Sequence, residues 1–375
     1  MDLITLVLII SALYYFAGIL YFIIGLLKKN VQKQNKIKHA VSIIIAVCNG
    51  EKNLERLLTL LKDQTYNGIM EFIIVDDQSI DNTKSIIDSF IKLDQRFKYF
   101  SSSDGNPDLT HKKRALDLGI QKSKYEHLLF TDVDCIIQPY WVESMISHFN
   151  DETDYLIGYS YTNITSTTAA IFQKIDFFML LSAARSMVNN KSAWACSGQN
   201  QGYKKSLYNS VGGFYKIANQ IQGDDSLFLL LSRKFSSAKI SFATSPKSFI
   251  KCRPELYWNN FLRQRVRWAG DAKIFWKFNI PFYLTSIFTF LLNLNILIYP
   301  LIIPLKDFSL KLYISFIFMK FIIEYILYVV SNNIFDQKSN LGHFVFWFLL
   351  QPIYVAVVAS ASILNFNPKW KDKTR

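Results

Sequence analysis

Val41-Ser42-Ile43-Ile44-Ile45-Ala46-Val47-Cys48 is a continuous apolar run rich in β-branched residues. That is the pattern of a strand buried on both faces of a parallel sheet. The run leads directly into Asn49-Gly50-Glu51. From Glu51 to Gln64 the residues Leu54, Leu57, Leu58 and Leu61 recur at helical spacing. The alternation continues with a strand at Glu71–Val75 and a helix at Asp81–Leu93, which Asp81 is placed to cap. A short strand at Lys98–Ser101, a helix at Lys112–Gln121, a strand at His127–Thr131 and a helix at Trp141–Phe149 follow. Strand and helix alternating in this way predict right-handed crossovers and an α/β fold around a parallel sheet.

In such sheets ligands bind outside the carboxyl ends of the strands. The first strand ends in Cys48-Asn49-Gly50-Glu51 and the second in Asp76-Asp77-Gln78-Ser79. The third leads into Asp104-Gly105-Asn106, and the fourth ends in Asp132-Val133-Asp134. Each alone reads as an ordinary loop. Together they deliver acids and amides to one sheet edge, which argues for a site. Asp132 and Asp134 offer carboxylate oxygens to a hard cation that also holds a diphosphate. Their bland role is to cap the helix that follows Pro139. Asp76 and Asp77 can accept hydrogen bonds from a base and a ribose, while Ser79 and Asp81 serve the next helix. Lys112, Lys113 and Arg114 open a helix, either close to the diphosphate or as a solvated face.

Further on, Ser197-Gly198-Gln199-Asn200 and Val211-Gly212-Gly213-Phe214 turn the backbone, beneath a ligand or simply as turns. Gly223-Asp224-Asp225 precedes a helix at Ser226–Arg233. Acids suit any helix amino terminus, but in a cleft with a metal and a diphosphate one of them becomes a candidate general base. Gln264-Arg265-Val266-Arg267-Trp268 lies on an amphipathic helix. Arg267 can neutralise a leaving diphosphate and Trp268 can stack on a sugar face. Alternatively the helix is a basic-aromatic element touching lipid headgroups.

The flanks of this region are apolar. The chain of 375 residues is 50% hydrophobic and 19% charged, which excludes a disordered or fibrous protein. Leu3 to Leu27 carries no charge and as a helix reaches about 37 Å, enough to cross a bilayer. It lacks the basic start and cleavage site of a signal peptide, so it reads as an uncleaved anchor. Lys28, Lys29, Lys33, Lys36 and Lys38 follow it, which places this flank and the next domain in the cytosol. Phe282–Leu305, Leu312–Val330 and Phe344–Leu364 read as three more spans, with Glu324 facing the bundle interior or a polar ligand. Three crossings leave the tail outside, whereas Lys369, Lys371, Lys373 and Arg375 favour the inside. Pro300 and Pro304 offer a re-entrant hairpin in the first run as one resolution. Much of the net charge of +13 sits at these flanks, without a recognition motif, so nucleic acid is not the expected partner. Cys48, Cys135, Cys196 and Cys252 lie far apart, against a zinc cluster or a disulfide scaffold. The sequon at Asn163-Ile164-Thr165 is expected to be silent in a cytosolic domain.

The expected organisation is an anchor at 1–28, a basic linker at 29–39 and an α/β domain at 40–254. An interfacial helix at 255–279, membrane helices at 280–366 and a basic tail at 367–375 complete it. In their order, Val41–Glu51, Ile74–Thr83, Asp132–Asp134, Gly223–Asp225 and Gln264–Trp268 resemble a family 2 glycosyltransferase of GT-A fold, of the membrane-bound type with a Gln-x-x-Arg-Trp motif. The resemblance covers about Ala40 to Gly270. It implies a Rossmann-like, mostly parallel GT-A domain flanked by transmembrane helices, and an inverting transferase using a nucleotide-sugar, usually UDP-linked, with Mg²⁺ or Mn²⁺. By position it implies that Glu51 together with Asp76 or Asp77 holds the nucleotide and that Lys113 lies near the diphosphate. Asp132 and Asp134 sit at the sugar-diphosphate, with at least Asp134 on the metal. Asp225, with Asp224 beside it, is the base, and Gln264, Arg267 and Trp268 close over donor and acceptor. Ala46 replaces a frequent proline, Cys48 a tyrosine or arginine, Gly50 a glutamate and Asp224 a glutamate, but every expected catalytic acid is retained.

The expected function is transfer of a sugar to a membrane-associated lipid or glycan at the cytosolic face of a bacterial plasma membrane. A processive polysaccharide synthase shares the Gln-x-x-Arg-Trp signature but usually needs more helices. A non-catalytic protein that binds a nucleotide or glycan is a third reading, against which the retained acids argue.

Overall fold

The structure is a computed structural model that describes residues 2–28, 37–162, 167–220, 222–302 and 307–364. Lys29, Lys33, Lys36, the Asn163–Thr165 sequon, Pro304 and the basic residues of the tail lie outside the described residues. In chain order the helices are α1 Leu3–Leu27, α2 Glu51–Lys62, α3 Thr83–Leu93, α4 His111–Lys122, α5 Trp141–Ile146 and α6 Thr168–Asn189. Then come α7 Lys205–Ser210, α8 Ser226–Ser236, α9 Trp258–Ala269, α10 Ile280–Ile302, α11 Asp307–Phe335 and α12 Leu341–Ile363. The strands are β1 Val41–Val47, β2 Met70–Asp76, β3 Phe97–Ser101, β4 His127–Thr131 and β5 Cys135–Ile136. They continue with β6 Tyr155–Ile157, β7 Ser160–Thr162, β8 Asn200–Lys204, β9 Ile240–Phe242 and β10 Ile250–Cys252.

The chain divides into two compact units. One, residues 30–163 and 191–253, holds every described strand. Its seven-stranded sheet has the order β3-β2-β1-β4-β8-β6-β9. β1 pairs in parallel with β2 and β4, β2 with β3, and β6 with β9. β8 runs antiparallel to both of its neighbours, so the sheet is mostly parallel. A smaller sheet has the order β5-β10-β7. In it Cys135 and Cys252 face each other with their thiol sulfurs 3.1 Å apart, a proximity hidden by their separation in sequence.

The apolar runs account for this core. Val41, Ile43, Ile44 and Ile45 of β1 and Phe72, Ile73, Ile74 and Val75 of β2 are fully buried. So are Leu54, Leu57, Leu58 and Leu61 of α2, each stabilising the fold by about 1.5–3 kcal/mol relative to exposure. β4 has the expected bounds. The helix expected from Asp81 begins at Thr83 with Asn82 in the cap position, and Asp81, one residue further out, accepts the Thr83 N–H at 3.1 Å. α5 stops at Ile146, short of the expected Phe149.

The second unit comprises residues 1–29, 164–190 and 254–375. The expected 40–254 domain is therefore not one continuous unit, since 164–190 groups with the helices. In this unit α6 packs against α1, α11 and α12. Gly25 of α1 permits that contact. A Cβ there would meet the Ser186 hydroxyl at 2.2 Å. Asn189 donates to the Gly25 carbonyl at 3.0 Å, and Lys28 donates to Asn190 at 2.7 Å. Leu3–Leu27, Ile280–Ile302, Leu310–Phe335 and Leu341–Ile363 are long and apolar enough to cross a membrane. α10 continues through Pro300 to Ile302, so the chain does not fold back at Pro300 into the re-entrant hairpin considered from sequence. Glu324 is buried as expected, 2.8 Å from the Lys320 ammonium one turn away. The Tyr15 hydroxyl of α1 also donates to Glu324, and Lys320 donates to Gln351 of α12.

Candidate active site

β1 and β2 end side by side, and their loops are tied together. Asn49 takes a left-handed conformation (φ 52°) and donates its N–H to the Ser79 hydroxyl at 2.8 Å. Its side-chain oxygen accepts the Ile80 N–H at 3.0 Å. Asp76, buried at the end of β2, accepts the Ser79 N–H at 2.9 Å, and Asp77 accepts the Ser102 hydroxyl at 2.8 Å. The exposed Glu51 accepts from the Asn82 side-chain amide at 2.9 Å. The three acids expected to hold a nucleotide thus gather at the edge formed by β1 and β2.

The next strand end carries the charge. Asp132 follows β4, and its Oδ1 lies 2.9 Å from the Lys112 ammonium. The same ammonium lies 3.0 Å from Asp224 Oδ2. Burial opposes the charge on Lys112, but the two carboxylates outweigh it and hold its pKa above the ordinary lysine value. Gly198 borders the pair. A Cβ there would come within 3.1 Å of Asp224 Oδ2 and 3.2 Å of Lys112 Nζ.

Asp225 caps α8, with Oδ1 accepting the Ser226 N–H at 2.5 Å and Oδ2 accepting the Gly198 N–H at 3.2 Å. Desolvation, reinforced by the neighbouring Asp224 carboxylate, pushes its pKa up to about 6. The Ser226 hydroxyl donates to the Cys196 carbonyl at 3.1 Å, and the Cys196 N–H donates back to that hydroxyl at 3.2 Å. The segment 196–198 is therefore fastened to the start of α8. Gly198 thus lies beside these acids, whereas Gly212 and Gly213 (φ 79° and 59°) make a turn after α7.

Lys113 corrects the sequence-based expectation. It is 1% exposed, and its ammonium donates to the backbone carbonyls of Ile217, Ala218 and Gln220. The cation beside the carboxylates is Lys112. Consecutive helical residues point about 100° apart, so one of the two faces the core and the other the site. The usable signal was the stripe Lys113, Leu116, Ile120, which α4 buries throughout.

Gln264, Arg267 and Trp268 belong to the helical unit, on α9. The arginine buried there is Arg265, 3.0 Å from Asp176 and with its guanidinium 4.1 Å from the centre of the Trp268 ring. The Trp268 ring expected to stack on a sugar thus packs on Arg265, a residue that sequence reasoning passed over. The Gln264 side-chain oxygen is buried with no hydrogen-bond partner.

Residues 42–212 match glycosyl transferase family 2. The putative glycosyltransferase EpsH of Bacillus subtilis is 35% identical over 118 residues, 32% of this chain and 33% of that protein. The poly(ribitol-phosphate) beta-N-acetylglucosaminyltransferase TarP of Staphylococcus aureus is 26% identical over 205 residues, 52% of this chain and 59% of its own. The chain thus spans about a third of the Bacillus relative. Among solved structures, the mannosyltransferase PcManGT from Pyrobaculum calidifontis, in complex with GDP-Man and Mn²⁺, aligns over 99% of this chain and 100% of that chain. Its TM-score of 0.61 at 14% identity is a likeness of fold.

Proposed function

This chain carries a family 2 glycosyltransferase domain of GT-A fold, and from that premise we propose that it is an inverting transferase moving a sugar from a nucleotide-sugar to a membrane-associated lipid or glycan. The observation that carries the reading is the Lys112 ammonium held between Asp132 and Asp224, with the pKa of Asp225 raised beside them.

Asp225 takes the proton of an acceptor hydroxyl. That oxygen forms a bond to the anomeric carbon as the bond from that carbon to the diphosphate breaks. The bonding pair leaves with the nucleoside diphosphate, and one displacement inverts the centre. Lys112 lies where negative charge grows on the leaving group, and Asp224 keeps its ammonium in place. Glu51, Asp76 and Asp77 bind base and ribose. By the resemblance alone, Gln264 and Arg267 are assigned to the donor, whereas the Trp268 ring is engaged by Arg265.

The donor set suits Mg²⁺ or Mn²⁺. Asp132 and Asp134 supply hard oxygens, and the ammonium on Asp132 marks a place that attracts positive charge. Among the described residues no group of three His, Cys, Asp or Glu is placed to hold an ion. Held by Asp132 and Asp134, such an ion would neutralise charge on the donor. The four long apolar helices support a membrane-embedded acceptor, and Lys28 and Lys38 support a cytosolic face of a bacterial plasma membrane.

The test is nucleotide release by detergent-purified full chain from UDP-, GDP- and dTDP-sugars, with Mg²⁺ or Mn²⁺ and native lipid extract. Lipid-stimulated release from one donor, abolished in Asp225→Asn and Asp134→Ala, is expected. Donor binding with turnover no higher than in Asp225→Asn would sink the transferase and leave a binding module.

A further inference from the structure

We propose that Lys113 is a positioning residue: with Lys112 it clamps the stretch that delivers Asp224 and Asp225, each lysine gripping that stretch at a different place. The inference rests on the transferase reading for its effect on turnover.

The two ammonium groups leave consecutive residues of α4. Lys112 reaches the Asp224 carboxylate at 3.0 Å. Lys113 reaches the carbonyls of Ile217, Ala218 and Gln220, the last only four residues before Asp224. A helix holds neighbouring side chains at fixed angle and rise, so α4 sets the distance between the two grips. Its first residue, His111, has φ 52°, a conformation costly for a non-glycine residue and found mostly where the surroundings impose it.

Packing alone does not explain Lys113. A buried ammonium is expensive unless it is well partnered, and an apolar side chain would fill the same volume without that cost. Its carbonyl partners lie at the end of the 3₁₀ turn Tyr215–Ile217 and just after it, where the backbone bonds are short-range ones such as Ala218 N–H to Tyr215 at 3.1 Å and Gln220 N–H to Ile217 at 3.0 Å. A second tether holds the same turn, because the Asn106 amide donates to the Tyr215 hydroxyl. Gly223, at φ 110°, then swings the chain into Asp224 and Asp225.

The test compares full-length wild type with Lys113→Met, Lys113→Arg and Asn106→Ala. Asn106→Ala releases the turn without disturbing a buried charge, so it decides the matter if Lys113→Met does not fold. Two quantities are read: hydrogen exchange at the Tyr215–Gln220 amides, and kcat against donor KM. We expect exchange in that stretch to rise about tenfold in Lys113→Met while β1 and β2 stay protected. Turnover should fall tenfold to about a hundredfold with donor KM within about twofold, because the base is misplaced rather than the donor site lost. Asn106→Ala should move both in the same direction by less, and Lys113→Arg should recover part of both. Unchanged exchange in Lys113→Met and Asn106→Ala overturns the clamp. Faster exchange with unchanged kcat makes Lys113 merely structural. If the wild type turns over no donor, the transferase reading falls and the positioning role with it, while exchange still decides whether Lys113 holds the turn.

Discussion

Lys112 Nζ stands 2.9 Å from Asp132 Oδ1, joining a carboxylate at the end of β4 to the first turn of α4. Because the same ammonium also holds Asp224, removing it leaves two facing carboxylates with no cation between them. Lys112→Met should therefore weaken nucleotide-sugar binding about tenfold, close to 1.4 kcal/mol. Lys112→Arg should retain more binding, though not all, since a guanidinium is wider than an ammonium. Titration of the purified chain with the donor it turns over checks this. Equal affinity in Lys112→Met and wild type would remove Lys112 from the donor site.

Asp225 sets a pH limb. With its pKa near 6, the carboxylate is free to take a proton only above that pH, so kcat/KM should rise through about pH 6 and then level. The charged groups facing it are the Asp224 carboxylate and the Lys112 ammonium, with the buried Cys196 and Tyr155 alongside. Stability runs the other way. The folded pKa lies above the ordinary 3.8, so the stabilising contribution is fully present below 3.8 and is lost as pH rises through about 6. Asp225→Asn should abolish the limb, and its melting temperature relative to wild type should be higher at pH 7.5 than at pH 4.

Gly198 is needed for the space beside the site. No unusual backbone angle requires glycine there, but an added Cβ presses on Asp224 Oδ2 and Lys112 Nζ. Gly198→Ala should lower turnover about tenfold, and Gly198→Val further, with stability changed by about 1 kcal/mol or less. A variant that melts like wild type and turns over normally would contradict the crowding argument.

The helical unit carries its own test. Lys320 and Glu324 are each about fully buried, in a helix apolar enough for a membrane. Breaking such a pair from one side strands the other charge. Lys320→Met or Glu324→Leu alone should cost about 3–5 kcal/mol, and the double variant should recover most of it. Thermal unfolding in detergent, arranged as a double-mutant cycle, reads this. Single variants that behave like the double would show that the charges do not depend on each other.

The failures of sequence reading cluster where an element is too short to show a period or has no polar face to set one off. β1, β2 and β4 were legible because each has a buried apolar run at its centre, Ile43–Ile45, Phe72–Val75 and Leu128–Phe130. β6, β7, β9 and β10 have three residues each, too few for any period to appear. α6, with apolar residues on every face, has no stripe to mark it as an amphipathic helix. Asp132, Asp224 and Asp225 were identified by their places at a strand end and a helix start. Those places depend on local pattern.

What the sequence determined by itself is the alternation of strand and helix, the apolar spans, and the acids at the strand ends. These follow from periodicity and from the chain's own backbone needs. The tertiary structure alone decided that Lys112 rather than Lys113 meets the carboxylates, that Arg265 rather than Arg267 pairs with Asp176, and that residues 164–190 join the helices. Adjacent basic residues are chemically alike along the chain. They are told apart only by which neighbouring element each side chain is turned towards, and that is a property of packing.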